Sequence, residues 1–103
     1  MPKSKSKAMR LHWSRLAQAD RDAIFDYIDA DSPQSAITVD ERIQTQIEDL
    51  AQFPESGRPG RIEGTRELVI SGTPFIAAYR LTGNAVCILR VLHGAQRWPE
   101  IAE

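Results

Sequence analysis

The chain has 103 residues, of which 42% are hydrophobic and 26% charged, a composition typical of one globular domain rather than a disordered or fibrous protein. Its one cysteine, Cys87, excludes an internal disulfide and a multi-cysteine metal site, and we expect a cytoplasmic protein. The sequence has no apolar run of the roughly 18 residues that a membrane span needs. The N-terminal residues lack the apolar core of a secretory signal.

The net charge of -1 is a cancellation between segments. Residues 14–55 carry -7, whereas residues 56–103 carry +2 with arginine as their only cation. All three lysines lie within the first seven residues, so we expect a flexible basic tail over residues 1–8 and a single domain over residues 9–103. The weak positive charge of the second half predicts no autonomous DNA binding, because such binding requires many neutralised phosphates.

Two amphipathic helices are predicted in the first half of the chain. The first covers residues 15 to about 30 and follows Ser14, whose hydroxyl suits a helix N-cap. The second begins at Ser32-Pro33, a capping residue followed by a proline suited to the first turn, and ends before Pro54. The short connection predicts an antiparallel helical hairpin.

A change from helical to alternating periodicity predicts strands in the second half. A short strand is also predicted around Leu11 and Trp13, and residues 54–64 form a turn-rich loop. The later strands are Arg66–Ser71, Phe75–Leu81 and Ala85–His93, with a tight turn at Gly83-Asn84 between the last two. The fold class is therefore α+β, with the N-terminal strand joining a mainly antiparallel sheet on which the helical hairpin packs.

The tight turn also predicts which residues of the last two strands lie opposite each other. One face pairs Tyr79 with Ile88, Ala77 with Arg90 and Phe75 with Leu92. The other pairs Arg80 with Cys87, Ala78 with Leu89 and Ile76 with Val91, and it includes His93. Both faces are largely apolar, so the hairpin should cover one face, and a partner protein is a candidate to cover the other.

Five sequence motifs, taken in order, resemble the RelE/ParE toxin superfamily. They are Ala30–Ala36, Leu50–Arg58, Gly64–Leu68, Ala78–Arg80 and Val91–Pro99, and the last resembles the ParE branch in particular. The resemblance implies the toxin of a type II toxin–antitoxin pair, bound in a hetero-oligomer by a small antitoxin such as a ParD-like protein. RelE-type members cleave mRNA on the ribosome, whereas ParE-type members inhibit DNA gyrase.

The residues favour the ParE-type activity within this superfamily. RelE-type toxins usually carry an arginine at the position of Ile76, and several carry a tyrosine at the position of Gly94. Other nuclease members use lysines, which residues 9–103 do not contain. We therefore predict a gyrase inhibitor that needs no catalysis and no cofactor. The alternatives are a ribosome-dependent mRNA endonuclease, for which Arg66, Arg80, Arg90 and His93 would be the catalytic residues, and an inactive homologue that only binds antitoxin.

The candidate partner-binding residues are mostly arginines on and around the predicted sheet. They are Arg58, Arg61, Arg66, Ile76, Arg80, Leu89, Arg90, His93, Arg97 and Trp98. Each has a structural alternative: arginines can cover apolar surface and pair with Glu67 or the acidic helices, and Trp98 can cover the edge of the core. His12 and His93 lack further ligand-type neighbours, so no metal site is predicted.

Overall fold

The computed structural model describes residues 8–98, so the lysines of the expected tail and Pro99 lie outside the described residues. Two helices pack on a five-stranded mixed sheet, which confirms the predicted α+β class. The elements are β1 (Arg10–Trp13), α1 (Arg15–Asp29), α2 (Pro33–Glu48), a 3-10 turn (Asp49–Ala51), β2 (Arg58–Pro59), β3 (Arg66–Val69), β4 (Phe75–Thr82) and β5 (Ala85–His93). The strand order is β1-β5-β4-β3-β2, with β1 parallel to β5 and the other pairs antiparallel.

Side-chain caps begin both helices where the sequence predicts them. The Ser14 hydroxyl accepts a hydrogen bond from the Ala17 N–H at 3.0 Å, and the Ser32 hydroxyl accepts one from the Ser35 N–H at 3.2 Å. Each bond satisfies one of the N–H groups that lack a partner in the first turn of a helix. Pro33 occupies the first turn of α2, as predicted.

The hydrophobic core lies between the hairpin and one face of the sheet. It combines small and branched side chains of the helices with alternate residues of the central strands. Its buried members are Ala17, Ile43, Ile47, Leu50, Ile70, Ala77, Tyr79, Val86, Ile88 and Val91.

A β-bulge changes the register that the sequence predicts for β4 and β5. The pairs near the Gly83 turn agree with the prediction, as far as Tyr79 opposite Ile88. Leu89 is then left unpaired, because the next partners are Ala78 and Arg90. Every prediction beyond that point was therefore wrong by one residue, and the observed pairs are Ala78 with Arg90, Ala77 with Val91, Ile76 with Leu92 and Phe75 with His93.

The same bulge places His93 on the opposite face from the one predicted. Its ring packs edge-on against Phe75, with ring centroids 5.7 Å apart. Because one extra residue in a strand inverts the alternation of all later side chains, the two assignments of His93 differ by this single insertion.

The second half of β5 is bordered by α1 instead of by a strand. β1 pairs with β5 only from Ala85 to Ile88. Beyond that point the Ser14 hydroxyl donates to the Leu89 carbonyl at 2.9 Å, and the Asp20 carboxylate accepts from the Val91 N–H at 2.9 Å. Side chains of α1 thus satisfy backbone groups that an open strand edge would otherwise expose.

Candidate binding surfaces

Glu67 is a buried carboxylate held by Arg58 of β2 and by Arg61 of the loop between β2 and β3. It is 3% exposed and accepts hydrogen bonds from the Arg61 backbone N–H at 2.8 Å, from Arg61 Nε at 3.1 Å and from Arg58 Nη2 at 3.2 Å. Burial by itself would raise the Glu67 pKa, but the hydrogen bonds from Arg61 and Arg58 outweigh it and the pKa is lowered. The charges of both arginines are therefore partly neutralised inside this cluster.

Trp98 covers the other side of the Arg61 guanidinium. The guanidinium carbon lies 3.7 Å from the centre of the indole ring, a cation–π contact. Trp98 Nε1 also donates to the His93 carbonyl at 3.3 Å, which holds the indole near the end of β5, while the contact with Arg61 links it to the β2–β3 loop. Trp98 and Arg61 therefore cover part of each other's surface in the free chain. Arg97, the residue before Trp98, is exposed.

His93 lies exposed at the end of β5 with one ring nitrogen already in use. Its Nδ1 accepts a hydrogen bond from the Ala95 N–H at 3.0 Å, so the structure gives it the backbone-bonded role of a strand-end histidine.

Arg90 forms an ion pair that joins β5 to α1. Its Nε and Nη2 donate to the two oxygens of Asp20 at 2.7 and 2.9 Å, and both side chains are only 14% exposed. The hydrogen bonds to Asp20 raise the Arg90 pKa against the opposing effect of burial. This bidentate geometry accounts for Arg90 as a structural residue.

The two apolar candidates, Ile76 and Leu89, are buried within the chain itself. Their exposed fractions are 7% and 2%. The second sheet face that was expected to need a partner is therefore largely covered at these positions. Arg80 lies half-buried on β4 opposite Cys87.

Arg66 differs from the arginines of the ion pairs. It is half-buried on β3, and its Nη2 donates to the Glu55 backbone carbonyl at 3.2 Å. Its buried Nε–H has no acceptor in the part of the chain that the structure describes. Since nearly all buried polar groups are hydrogen-bonded, this one marks a side chain whose bonding is incomplete in the free chain.

Sequence reasoning missed a groove on the helical hairpin. The groove has a volume of about 600 Å³, and a bidentate pair between Arg21 and Asp40 spans α1 and α2 at its wall, with distances of 2.7 and 2.9 Å. Arg21 also lies 5.2 Å from the ring centre of Trp13. No local spacing reveals such a contact between two helices, because it depends on their rotation about their axes.

Within residues 8–98, no group of three or more His, Cys, Asp or Glu side chains is placed to hold a metal ion. In the same range, no helix has both the length and the apolar character that crossing a membrane requires.

The family model described as the ParE toxin of the type II toxin–antitoxin system parDE matches residues 11–98. The chain belongs to the ParE toxin family. Its fold is also that of a chain in the structure of the chromosomal ParDE toxin–antitoxin system from P. aeruginosa, with a TM-score of 0.76, 36% identity, and coverage of 84% of this chain and 96% of that one. This ParE-family chain is accordingly the toxin of a type II toxin–antitoxin system.

Further proteins share the sequence or the fold of this chain. Y4kP of Sinorhizobium fredii, which is classed as a toxin, is 45% identical over 89% of this chain and 95% of its own length. Toxin RelE2 of Caulobacter vibrioides is 37% identical over 82% of this chain and 93% of its own. The toxin–antitoxin complex RelBE2 of Mycobacterium tuberculosis shares the fold at a TM-score of 0.58 and 22% identity, covering 84% of this chain and 98% of that one.

Proposed function

We propose that this ParE-family toxin inhibits DNA gyrase by binding it, without catalysis of its own, and that a cognate antitoxin neutralises it. An action on gyrase would take place in the cytoplasm. Membership of the ParE family supports the choice of target, and the positions of the residues that a nuclease would use support the absence of catalysis.

The observation that carries the proposal is the separation of Arg66 from His93, two of the four endonuclease candidates. RNA cleavage needs a base, an acid and a cation at one phosphate. Arg66 lies opposite Tyr79 and His93 opposite Phe75, four residues apart along β4, which corresponds to roughly 13 Å. Arg90 is paired with Asp20, so its charge is already balanced.

Two exposed arginines before β3 support the same conclusion. Arg58 of β2 and Arg61 of the β2–β3 loop both donate to Glu67. A carboxylate placed between them opposes the binding of a phosphate at this position, because it adds negative charge where a phosphate would bring more.

The test is to produce the toxin alone in cells and to follow growth, gyrase and mRNA together. We expect growth arrest, loss of supercoiling activity, accumulation of gyrase–DNA cleavage complexes and intact mRNA, all reversed by co-production of the antitoxin. Rapid mRNA loss with normal gyrase activity would refute the gyrase proposal. Absence of toxicity would instead favour a homologue that only binds antitoxin.

The second candidate is a ribosome-dependent mRNA endonuclease. It is favoured by the 37% identity to a protein named Toxin RelE2 and by the exposure of His93 at the end of β5. The purified toxin added to translating ribosomes distinguishes the two functions. Cleavage at the ribosomal A site that disappears in His93→Ala would establish the endonuclease in place of gyrase inhibition.

A further inference from the structure

Arg66 is a half-buried cation with no carboxylate partner among residues 8–98. Within residues 8–98, its side chain donates to the Glu55 backbone carbonyl, and its buried Nε–H has no acceptor. Arg61 and Arg90, by contrast, each donate to a carboxylate. A guanidinium stays charged at any physiological pH. The buried Nε–H is out of reach of another molecule, so a carboxylate brought by a partner would pair with the exposed part of this half-buried side chain.

An exposed aromatic side chain lies two residues before Glu55, whose carbonyl binds this arginine. Phe53 is 67% exposed, and together with Pro54, Glu55 and Ser56 it lines a surface depression of about 490 Å³. The Glu55 carbonyl that receives the Arg66 bond belongs to the same four residues. Aromatic and arginine side chains are the types most enriched at the centres of protein interfaces.

The loop that carries Phe53 is held in place from beneath. The buried Tyr79 hydroxyl donates to the Pro54 carbonyl at 2.8 Å and accepts from the Gly57 N–H at 2.9 Å. A Cβ atom at position 57 would lie 2.6 Å from that hydroxyl oxygen, so glycine is required for this approach. A surface fixed in this way loses little conformational entropy when a partner binds.

We propose that Phe53 and Arg66 form a docking site for the cognate antitoxin. The site fits a segment in which an Asp or Glu lies next to an apolar side chain, with the carboxylate on the Arg66 guanidinium and the apolar group over Phe53. A partner that stays bound suits this site better than one that binds transiently, because it keeps the charge of Arg66 paired for as long as the complex lasts. The inference rests on the antitoxin part of the proposed function and is independent of gyrase.

The experiment titrates the purified cognate antitoxin onto the toxin and measures the dissociation constant. Arg66→Met and Phe53→Ala should each weaken binding by about tenfold or more, since each removes one half of the site. Arg15→Met and Ile37→Ala are matched controls on other exposed surfaces and should change the affinity by less than about twofold. Thermal unfolding confirms that each variant is folded, and Arg66→Gln replaces the methionine variant if that one folds poorly.

The outcomes separate this inference from the proposed function. Wild-type affinity in both variants would overturn the docking site while leaving the antitoxin partnership intact. A loss confined to Phe53→Ala would overturn the carboxylate recognition. Variants that bind antitoxin normally but no longer arrest growth would assign the surface to the toxin's target instead. A wild-type toxin that binds no antitoxin would refute the antitoxin part of the proposed function and this inference with it.

Discussion

The Arg61 guanidinium lies 3.7 Å from the centre of the Trp98 ring and donates at the same time to buried Glu67. This relationship joins the segment after β5 to the loop before β3. It therefore holds two parts of the chain that are far apart in sequence over one end of the sheet.

Removing the indole tests how much this contact contributes. Trp98→Ala should lower the free energy of unfolding by about 1–2 kcal/mol, because a partly desolvated cation–π contact and some apolar burial are both lost. Denaturant unfolding measures the change, and Arg97→Ala, an exposed neighbour, should stay within about 0.5 kcal/mol of wild type. Equal stability of the two variants would show that Trp98 contributes nothing to the fold.

Glu67 should make stability depend on pH. Glu67→Gln leaves Arg58 and Arg61 without their counter-ion and should cost about 1–3 kcal/mol at neutral pH, within the range for unsatisfied charged partners. The folded-state pKa of Glu67 is lowered from its ordinary value of 4.5. The stabilisation is therefore fully present above that value and is lost as pH falls through the lowered folded-state pKa.

The measurement is denaturant unfolding of wild type and Glu67→Gln from neutral to strongly acidic pH. The difference between them should shrink as the carboxylate is protonated. A difference that stays constant down to acid pH would mean that the charge of Glu67 is not what stabilises the cluster.

Substitution of Asp20 should lower stability more than substitution of Asp26, another acidic residue of α1. Its carboxylate accepts hydrogen bonds from Arg90 Nε, Arg90 Nη2 and the Val91 N–H. Asp20→Asn therefore removes charge-assisted bonds at a site that is 14% exposed. We expect a loss of about 1.5–3 kcal/mol. Asp26→Asn on the exposed face of the same helix should change stability by less than about 0.5 kcal/mol, and a similar loss in both variants would contradict the edge role of Asp20.

Local signals in the sequence predicted most of the fold. Ser14 and Ser32 cap helices and Gly83 forms the turn because each acts within a few residues of chain, where spacing determines the contact. The resemblance to the RelE/ParE toxin superfamily, based on five sequence motifs, is confirmed at the level of the family. The two-residue strand β2 falls within the predicted loop and was not predicted, since two residues are too few to show a period.

Contacts between distant parts of the chain could not be predicted in the same way. The extra residue Leu89 leaves the apolar pattern of β5 intact, so alternation alone cannot reveal that the later pairs shift by one. The partner of Arg90 on α1 and the stacking of Arg61 under Trp98 depend on how whole elements pack. The exposed Phe53, two residues before the Glu55 carbonyl that binds Arg66, was missed because exposure is a property of the folded chain.

The Tyr79 hydroxyl should stabilise the fold and shape the Phe53 loop through the same two hydrogen bonds. Tyr79→Phe leaves the Gly57 N–H and the Pro54 carbonyl without this partner and should cost about 1–3 kcal/mol. Tyr27→Phe is the matched control, because Tyr27 is 84% exposed and should lose almost nothing.

Alkaline titration gives a second readout of the same hydroxyl. Burial raises the Tyr79 pKa above its ordinary value of 10, against the opposing effect of the Gly57 hydrogen bond. The contribution to stability is therefore present below pH 10 and is lost as pH rises through the folded-state pKa, since ionisation removes the proton donated to Pro54. Wild type should lose stability relative to Tyr79→Phe in this alkaline range, whereas parallel pH profiles would exclude the hydroxyl as the group that holds the loop.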